Sequence, residues 1–241
     1  RATVVPKIYP RDSFITRIDP TFYSIQVRDK HSEQYETDNG LALRFVLWRR
    51  SNLTFSYNYA TEVFDPNDIF PAAEFGEIAA QKFKTGGAKI SFNSQINRQW
   101  TTRLEYRRTK AIFYDLQPDQ GFGNTAIATL TYQPSEKINA FFSATYSDFF
   151  HESDDRKEFD ITILRGRLTY QINKYLFFRG VLEHNELRKR LLTDFLASFT
   201  YIPGTVLHFG YGSVYEKLNL SHDFSETRRG FFAKASYLWR L

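Results

Sequence analysis

Apolar and polar residues alternate singly over long stretches of this chain. The closing stretch is the clearest: Phe231, Ala233, Ala235, Tyr237, Trp239 and Leu241 alternate with Phe232, Lys234, Ser236, Leu238 and Arg240. Upstream, Leu191, Phe195, Ala197, Phe199 and Tyr201 oppose Arg190, Asp194, Ser198 and Thr200. Ile138, Ala140, Phe142, Ala144 and Tyr146 oppose Asn139, Ser143, Thr145 and Ser147. Trp100, Leu104 and Tyr106 oppose Gln99, Arg103, Glu105 and Arg107, and Leu53, Phe55, Tyr57 and Tyr59 oppose Thr54, Ser56 and Asn58. Successive side chains on a strand point to opposite faces, so each stretch predicts a strand with one oily and one wet side.

About twelve such segments of roughly 8–13 residues can be placed, which suits the ~9–11 residues a tilted strand needs to cross a bilayer. They cover 20–28, 41–49, 53–61, 87–96, 99–109, 124–133, 137–148, 159–171, 175–185, 190–202, 205–216 and 229–241. Their connections alternate in length. Short turns fall near Arg50–Asn52, Asn97–Arg98, Pro134–Glu136, Asn173–Lys174 and Pro203–Gly204. Longer polar loops cover 29–40, 62–86, 110–123, 149–158, 186–189 and 217–228, of which 186–189 fits the rhythm least. The segment 62–86, with Ala72, Ala73, Ala79 and Ala80, is a candidate for a short helix within its loop.

Outer-membrane barrels have short periplasmic turns, longer outside loops and an even number of strands. The pattern therefore predicts an all-β fold: a transmembrane antiparallel up-and-down β-barrel of about 12 strands, within a range of about 10–14. It would be integral to the cell outer membrane and would occupy 20–241, preceded by a linker or partial strand over 1–19. Both chain ends would face the periplasm. A soluble sandwich or lipocalin-like barrel also alternates, but it points its apolar face inward. Here Arg and Glu recur in mid-strand on a single face, rings gather near strand ends, and a strand runs to the final residue. These features favour the membrane.

Composition sharpens the choice. No run of 18 apolar residues occurs, which excludes a transmembrane helix. Yet 17% of the 241 residues are aromatic, with 24 Phe and 15 Tyr, in a chain whose mean hydropathy is −0.46. A soluble domain of that polarity has little use for so many rings, whereas a barrel carries aromatic girdles. The absence of Cys rules out disulfides and thiolate metal sites. The net charge of +5 is compatible with nucleic acid, anionic lipid or neither. The chain opens at Arg1 and holds no Met, so the first residues of the gene product are expected to be absent from it.

The run Tyr201–Ile–Pro–Gly–Thr–Val–Leu–His–Phe–Gly–Tyr–Gly–Ser–Val–Tyr215 and the ending Phe231–Phe–Ala–Lys–Ala–Ser–Tyr–Leu–Trp–Arg–Leu241 resemble a family of uncharacterised outer-membrane barrel proteins. In that family a β-sandwich similar to family-nine carbohydrate-binding modules precedes a large C-terminal barrel. Asp65–Pro–Asn–Asp–Ile69 looks like the family's Asn-Asp-Leu-Gly-Phe loop motif, although Phe70–Pro71 follows here in place of Gly-Phe. The resemblance covers mainly 124–241. It implies a barrel portion without its N-terminal module, and it carries over no catalytic residue. Outer-membrane barrels also resemble one another in ending on an aromatic-rich strand that the barrel-insertion machinery reads. Tyr237 and Trp239 fit that signal, and Leu241 stands where Phe is usual; the same rings also serve as an interfacial belt.

Little in the chain points to catalysis. His31, His151, His184, His208 and His222 show no metal-ligand spacing and read as loop or rim residues. A Ser/His pair on the outer face, as in a membrane phospholipase, is the enzymatic alternative, and the inward phase of His208 argues against it. Glu152, Asp154, Asp155 and Glu158 offer oxygens for Ca²⁺, but Arg156 and Lys157 interrupt them, and a solvated loop is the simpler reading. Gly121–Phe–Gly–Asn124 lacks the Lys-Ser/Thr ending of a phosphate loop. No cofactor or metal is expected. Rings and cations fall on opposite strand faces, so they form no stacking groove for nucleic acid.

The inward face is the candidate site. By phase it holds Arg44, Lys89, Arg103, Arg107, Arg165, Arg167, Arg179, Arg190, Lys234 and Arg240 against Glu105, Glu183 and Asp194. This excess of cations predicts a lumen that favours anionic solutes if water fills it. About twelve strands enclose a narrow space, so the same side chains also suit a hydrogen-bonded plug. The expected functions are a narrow channel or membrane scaffold without catalysis, or a plugged barrel anchoring a surface or periplasmic binding domain or complex. Expected partners are outer-membrane lipid, lipopolysaccharide, the insertion machinery and a possible protein module.

Overall fold

The structure is a computed structural model that describes residues 1–11, 14–28, 35–64, 81–115, 118–202, 204–217 and 223–238. Among them lie thirteen strands and no helix. They are β1 (Ala2–Val4), β2 (Ile15–Arg28), β3 (Tyr35–Leu47), β4 (Ser51–Phe64), β5 (Gln81–Gln95) and β6 (Trp100–Phe113), followed by β7 (Asp119–Ser135), β8 (Ile138–His151), β9 (Lys157–Gln171), β10 (Leu176–Asn185), β11 (Arg190–Ile202), β12 (Thr205–Lys217) and β13 (Phe224–Ser236). They form one sheet in which the hydrogen-bonded order follows the chain from β1 to β13. This is the all-β, antiparallel, up-and-down class that alternation predicts. Twelve strands are long, from the 10 residues of β10 to the 17 of β7, and β1 has only 3. The stretch 1–19 holds β1, a single bridge between Ile8 and Ile18, and the start of β2.

Local chemistry closes the short turns. Asn97 Oδ1 accepts hydrogen bonds from the N–H groups of Gln99 (2.8 Å) and Trp100 (2.9 Å). Asn173 Oδ1 does the same for Tyr175 (2.8 Å) and Leu176 (3.0 Å). Both are Asx turns, in which a short amide side chain caps the backbone just ahead of it. At the opposite strand ends the ladders run further than the alternation. β4 reaches Phe64, β5 begins at Gln81, β6 reaches Phe113, β7 begins at Asp119 and β8 reaches His151. Hydrogen bonding continues there after the oily and wet faces stop being distinct, so periodicity ends before the strand does. The candidate helix within 62–86 and the Asp65–Ile69 motif fall largely or wholly outside the described residues.

The chain divides into two compact units. The first comprises Arg1–Ser94, Leu104–Ala126 and Ser147–Asp160; the second comprises Gln95–Arg103, Ile127–Tyr146 and Ile161–Leu241. In the first, Leu41 stands between Phe22 and Tyr57 on one face, while Asp19, Arg44, Thr54 and Ser91 make a cross-strand row on the other. In the second, Phe209 stands between Ala197 and Ala233, and the alternate face carries the row Arg167, Val181, Asp194, Gly212.

The distribution of burial is inverted relative to a water-soluble domain. Tyr57 is 58% exposed, Phe195 56%, Phe209 57% and Phe231 70%. Among the described residues eight polar or charged residues are buried, against six apolar ones. Buried polar groups and large exposed apolar faces are the two observations that demand explanation, and here both occur together.

Candidate functional site: the charged strand face

The first unit satisfies most of its polar face. Arg17 Nη2 donates to Asp19 at 2.9 Å, and Lys89 meets the buried carboxylate of Glu105 at 3.0 Å. The Tyr23 ring covers Gly40 so closely that a Cβ there would collide with it. From that seat its hydroxyl donates to Asp38 Oδ1 (3.2 Å), which also accepts from Asn58 Nδ2 (2.9 Å). Asn58 Oδ1 in turn accepts from the Gly87 N–H at 3.1 Å, where Gly86 takes a φ of 92° that only glycine adopts without strain. On the opposite, ring-bearing face, Ser51 and Ser94 share a buried 2.7 Å bond at the short-turn end. Arg44 and Arg107 are exposed and meet no carboxylate within 4 Å among the described residues.

The second unit leaves its cations looser. Arg165 stands across from Glu183 at 3.8 Å, and Arg179 reaches diagonally to Asp194 at 3.5 Å. The side chains of these two arginines are 50% and 41% exposed. Arg167 lies 5.1 Å over the Phe141 ring and has no ion pair among the described residues. Arg190 faces Glu216 and Asn185 across the ladder, and Lys234 faces His208. Arg103 is exposed on β6. Arg240, Trp239 and Leu241 lie outside the described residues, while Tyr237 is 67% exposed just beyond β13.

Alternation read from the sequence overlooked several members of this face. Asp19, Glu36, Asp38, Glu62 and Glu216 add five carboxylates to the expected three, against Arg17 as an added cation, so the excess of cations is smaller than the sequence count. Asp38 shares parity with Arg44, but it lay in a stretch read as loop; Asp19 preceded the expected start of its strand. The corrected excess is concentrated in the second unit, where six named cations face Glu183, Asp194 and Glu216.

The acidic stretch does not form a cation cage. Glu158 binds both His151 Nε2 (3.0 Å) and Arg156 (3.3 Å), Glu152 takes Lys110 (2.7 Å), and Asp154 accepts from the Arg156 N–H (3.1 Å). No group of three metal-capable side chains occurs among the described residues. His151 stands at the loop end of β8, past the stretch 137–148 expected to cross the bilayer. Asp119 holds its Nδ1 at 2.7 Å, and Phe113 and Phe149 pack beside the ring. The hydrogen bond to Asp119, then that to Glu158, raise its pKa above the ordinary value of 6.5, against burial and the nearby Arg156. His208 sits between buried Ser198 and Lys234, but no hydrogen bond joins it to Ser198, so the nucleophile–base contact of a hydrolase is missing there.

No protein-family model matches the chain, and no curated protein matches it. The resemblance over 124–241 therefore adds no activity. Among solved structures, the CymD monoaromatic hydrocarbon channel aligns with 10% identity and a TM-score of 0.36, over 89% of this chain and 77% of its own. The Ralstonia pickettii toluene transporter TbuX aligns with 8% identity and a TM-score of 0.33, over 84% and 73%. Overlaps this loose carry no argument about what this chain does.

Proposed function

We propose that this chain is the wall of an outer-membrane β-barrel acting as a narrow, non-catalytic channel with a basic interior. The observation that carries the reading is the inverted burial: exposed rings on one strand face, with the buried carboxylates of Asp19 and Glu105 and the buried hydroxyl of Ser198 on the other. Hydrocarbon lowers the free energy of such a ring face, at roughly 25 cal/mol for each Å² removed from water. The partly exposed arginines of the second unit, paired at 3.5 Å and beyond, support an interior that still offers positive charge to a solute.

The Tyr23–Asp38–Asn58 network and the Lys89–Glu105 pair favour a second reading, in which side chains plug the interior and the barrel anchors a surface or periplasmic module. Planar-bilayer recording separates the two. Steady current with a reversal potential on the anion side in a KCl gradient is expected for the channel. Silence from protein whose gel mobility shifts on boiling favours the anchor. Material that stays monodisperse in plain buffer without detergent overturns both.

A further inference from the structure

Exposed cations gather at the long-loop end of the strand face that carries the rings. Lys84 stands across from Thr61 on β4 and is in phase with Ile90, which stands across from Phe55. Lys82 shares that phase. On β6, Arg108 and Lys110 are in phase with exposed Leu104 and Tyr106. The contacts bear this out on successive rungs: Tyr106 donates to Asn124 (2.9 Å), and Arg108 lies 4.4 Å over the Phe122 ring.

Two features make this more than scattered surface charge. The first is rigidity. Phe122 stacks on Phe150 at 5.3 Å with 8° between the planes, and Lys157 lies 5.5 Å over the far ring. The Gln120 side chain clamps the backbone of Lys84 from both sides, donating to its C=O (2.9 Å) and accepting from its N–H (3.0 Å), and it donates to Ala111 as well (2.9 Å). A guanidinium held on a ring and a lysine on a clamped backbone lose less freedom on binding an anion. The second is charge balance. Glu152 meets Lys110 and Asp160 meets Lys157, but Lys82, Lys84 and Arg108 have no ion pair among the described residues.

We infer that this rim binds the phosphorylated headgroup of an outer-leaflet glycolipid, with Lys84 and Arg108 on the phosphate and Leu104 and Tyr106 against the acyl chains below. The inference rests on the membrane reading above. Its ground is the continuity of a cationic edge with an apolar face, since only an amphiphile with anionic head and hydrocarbon tail matches both parts at once.

The test uses the full chain in detergent micelles, with native mass spectrometry counting bound lipid. The probes are bisphosphorylated lipid A and the same lipid with both phosphates removed. The phosphorylated form should bind about tenfold tighter or more, and the variant K84A/R108A/K110A should bring that ratio near one. The variant K137A/K174A, altered at the short-turn end, should keep it. Equal affinity of the wild type for both lipids overturns the inference, as does a triple variant that retains the preference. Displacement by millimolar inorganic phosphate also overturns it, because the site would then take free phosphate. Should the triple variant fail to fold, the wild type's discrimination between the two lipids decides alone. A wild-type chain that neither enters vesicles nor shifts on boiling fails the membrane reading itself, before any lipid is added.

Discussion

In the first unit Glu105 is buried and held by Lys89 at 3.0 Å, and Asp38 takes two hydrogen bonds from Tyr23 and Asn58. In the second, Arg167 rests on a ring without a carboxylate, and Arg165 and Arg179 reach their acids only at 3.8 and 3.5 Å. The same residue types thus serve two ends. A buried, paired charge fixes structure, because removing its partner strands it in a low dielectric. A half-exposed charge in a long pair contributes little to stability and leaves its field available to a passing ion. Stability should follow the first unit's charges, and selectivity the second's.

The strongest way to break this division is charge reversal in the second unit. R165E/R167E/R179E should invert the sign of the reversal potential in a KCl gradient while the protein keeps its heat-dependent gel shift. An unchanged sign would remove the second unit from the conduction path. Next in size, Lys89→Ala should lower unfolding free energy by about 2–3 kcal/mol in urea titrations on vesicles, since it leaves Glu105 with one cation fewer. A loss under about 0.5 kcal/mol would show that the pair is not structural.

His151 gives a smaller, pH-dependent effect at the loop end. Its folded pKa lies above 6.5, so its stabilising contribution is complete below 6.5 and is lost as pH rises through the raised value. Amide exchange near Asp119 and Glu158 should therefore quicken across that window beyond its intrinsic pH dependence, and His151→Gln should abolish the excess. An identical pH response in the variant would exclude this histidine as the cause. The smallest effect belongs to Arg179→Ala, expected to change stability by less than about 0.5 kcal/mol. A cost of several kcal/mol in the same urea titration would put the second unit's charges in the structural class and end the contrast.

Alternation made the strand class legible because one face of each strand is oily over its middle. It put Arg165, Arg179 and Glu183 on a common face, as the ladders do. It lost the strand ends, where β4 runs on to Phe64 opposite Gln81, because Phe64 and Phe83 bury there on the phase that is polar in mid-strand and so break the alternation. The missed residues follow from the same cause: Asp19 and Asp38 lie just outside the stretches where the period is strong. Pairing itself was not legible. Glu105 and Glu183 look alike in sequence, and only packing buries the first and leaves the second about a quarter exposed, at 24%.

Every ladder joins strands that are neighbours in the chain, and this makes the hairpin the natural unit of gain and loss. Excising β10 with β11 would leave β9 beside β12 in the correct antiparallel sense. Excising one strand alone would set two parallel strands side by side across a tight turn, where parallel neighbours need a crossover of a dozen or more residues. Chains of this design can therefore widen or narrow by pairs, accordion fashion, and the remaining rungs keep their register while they do so.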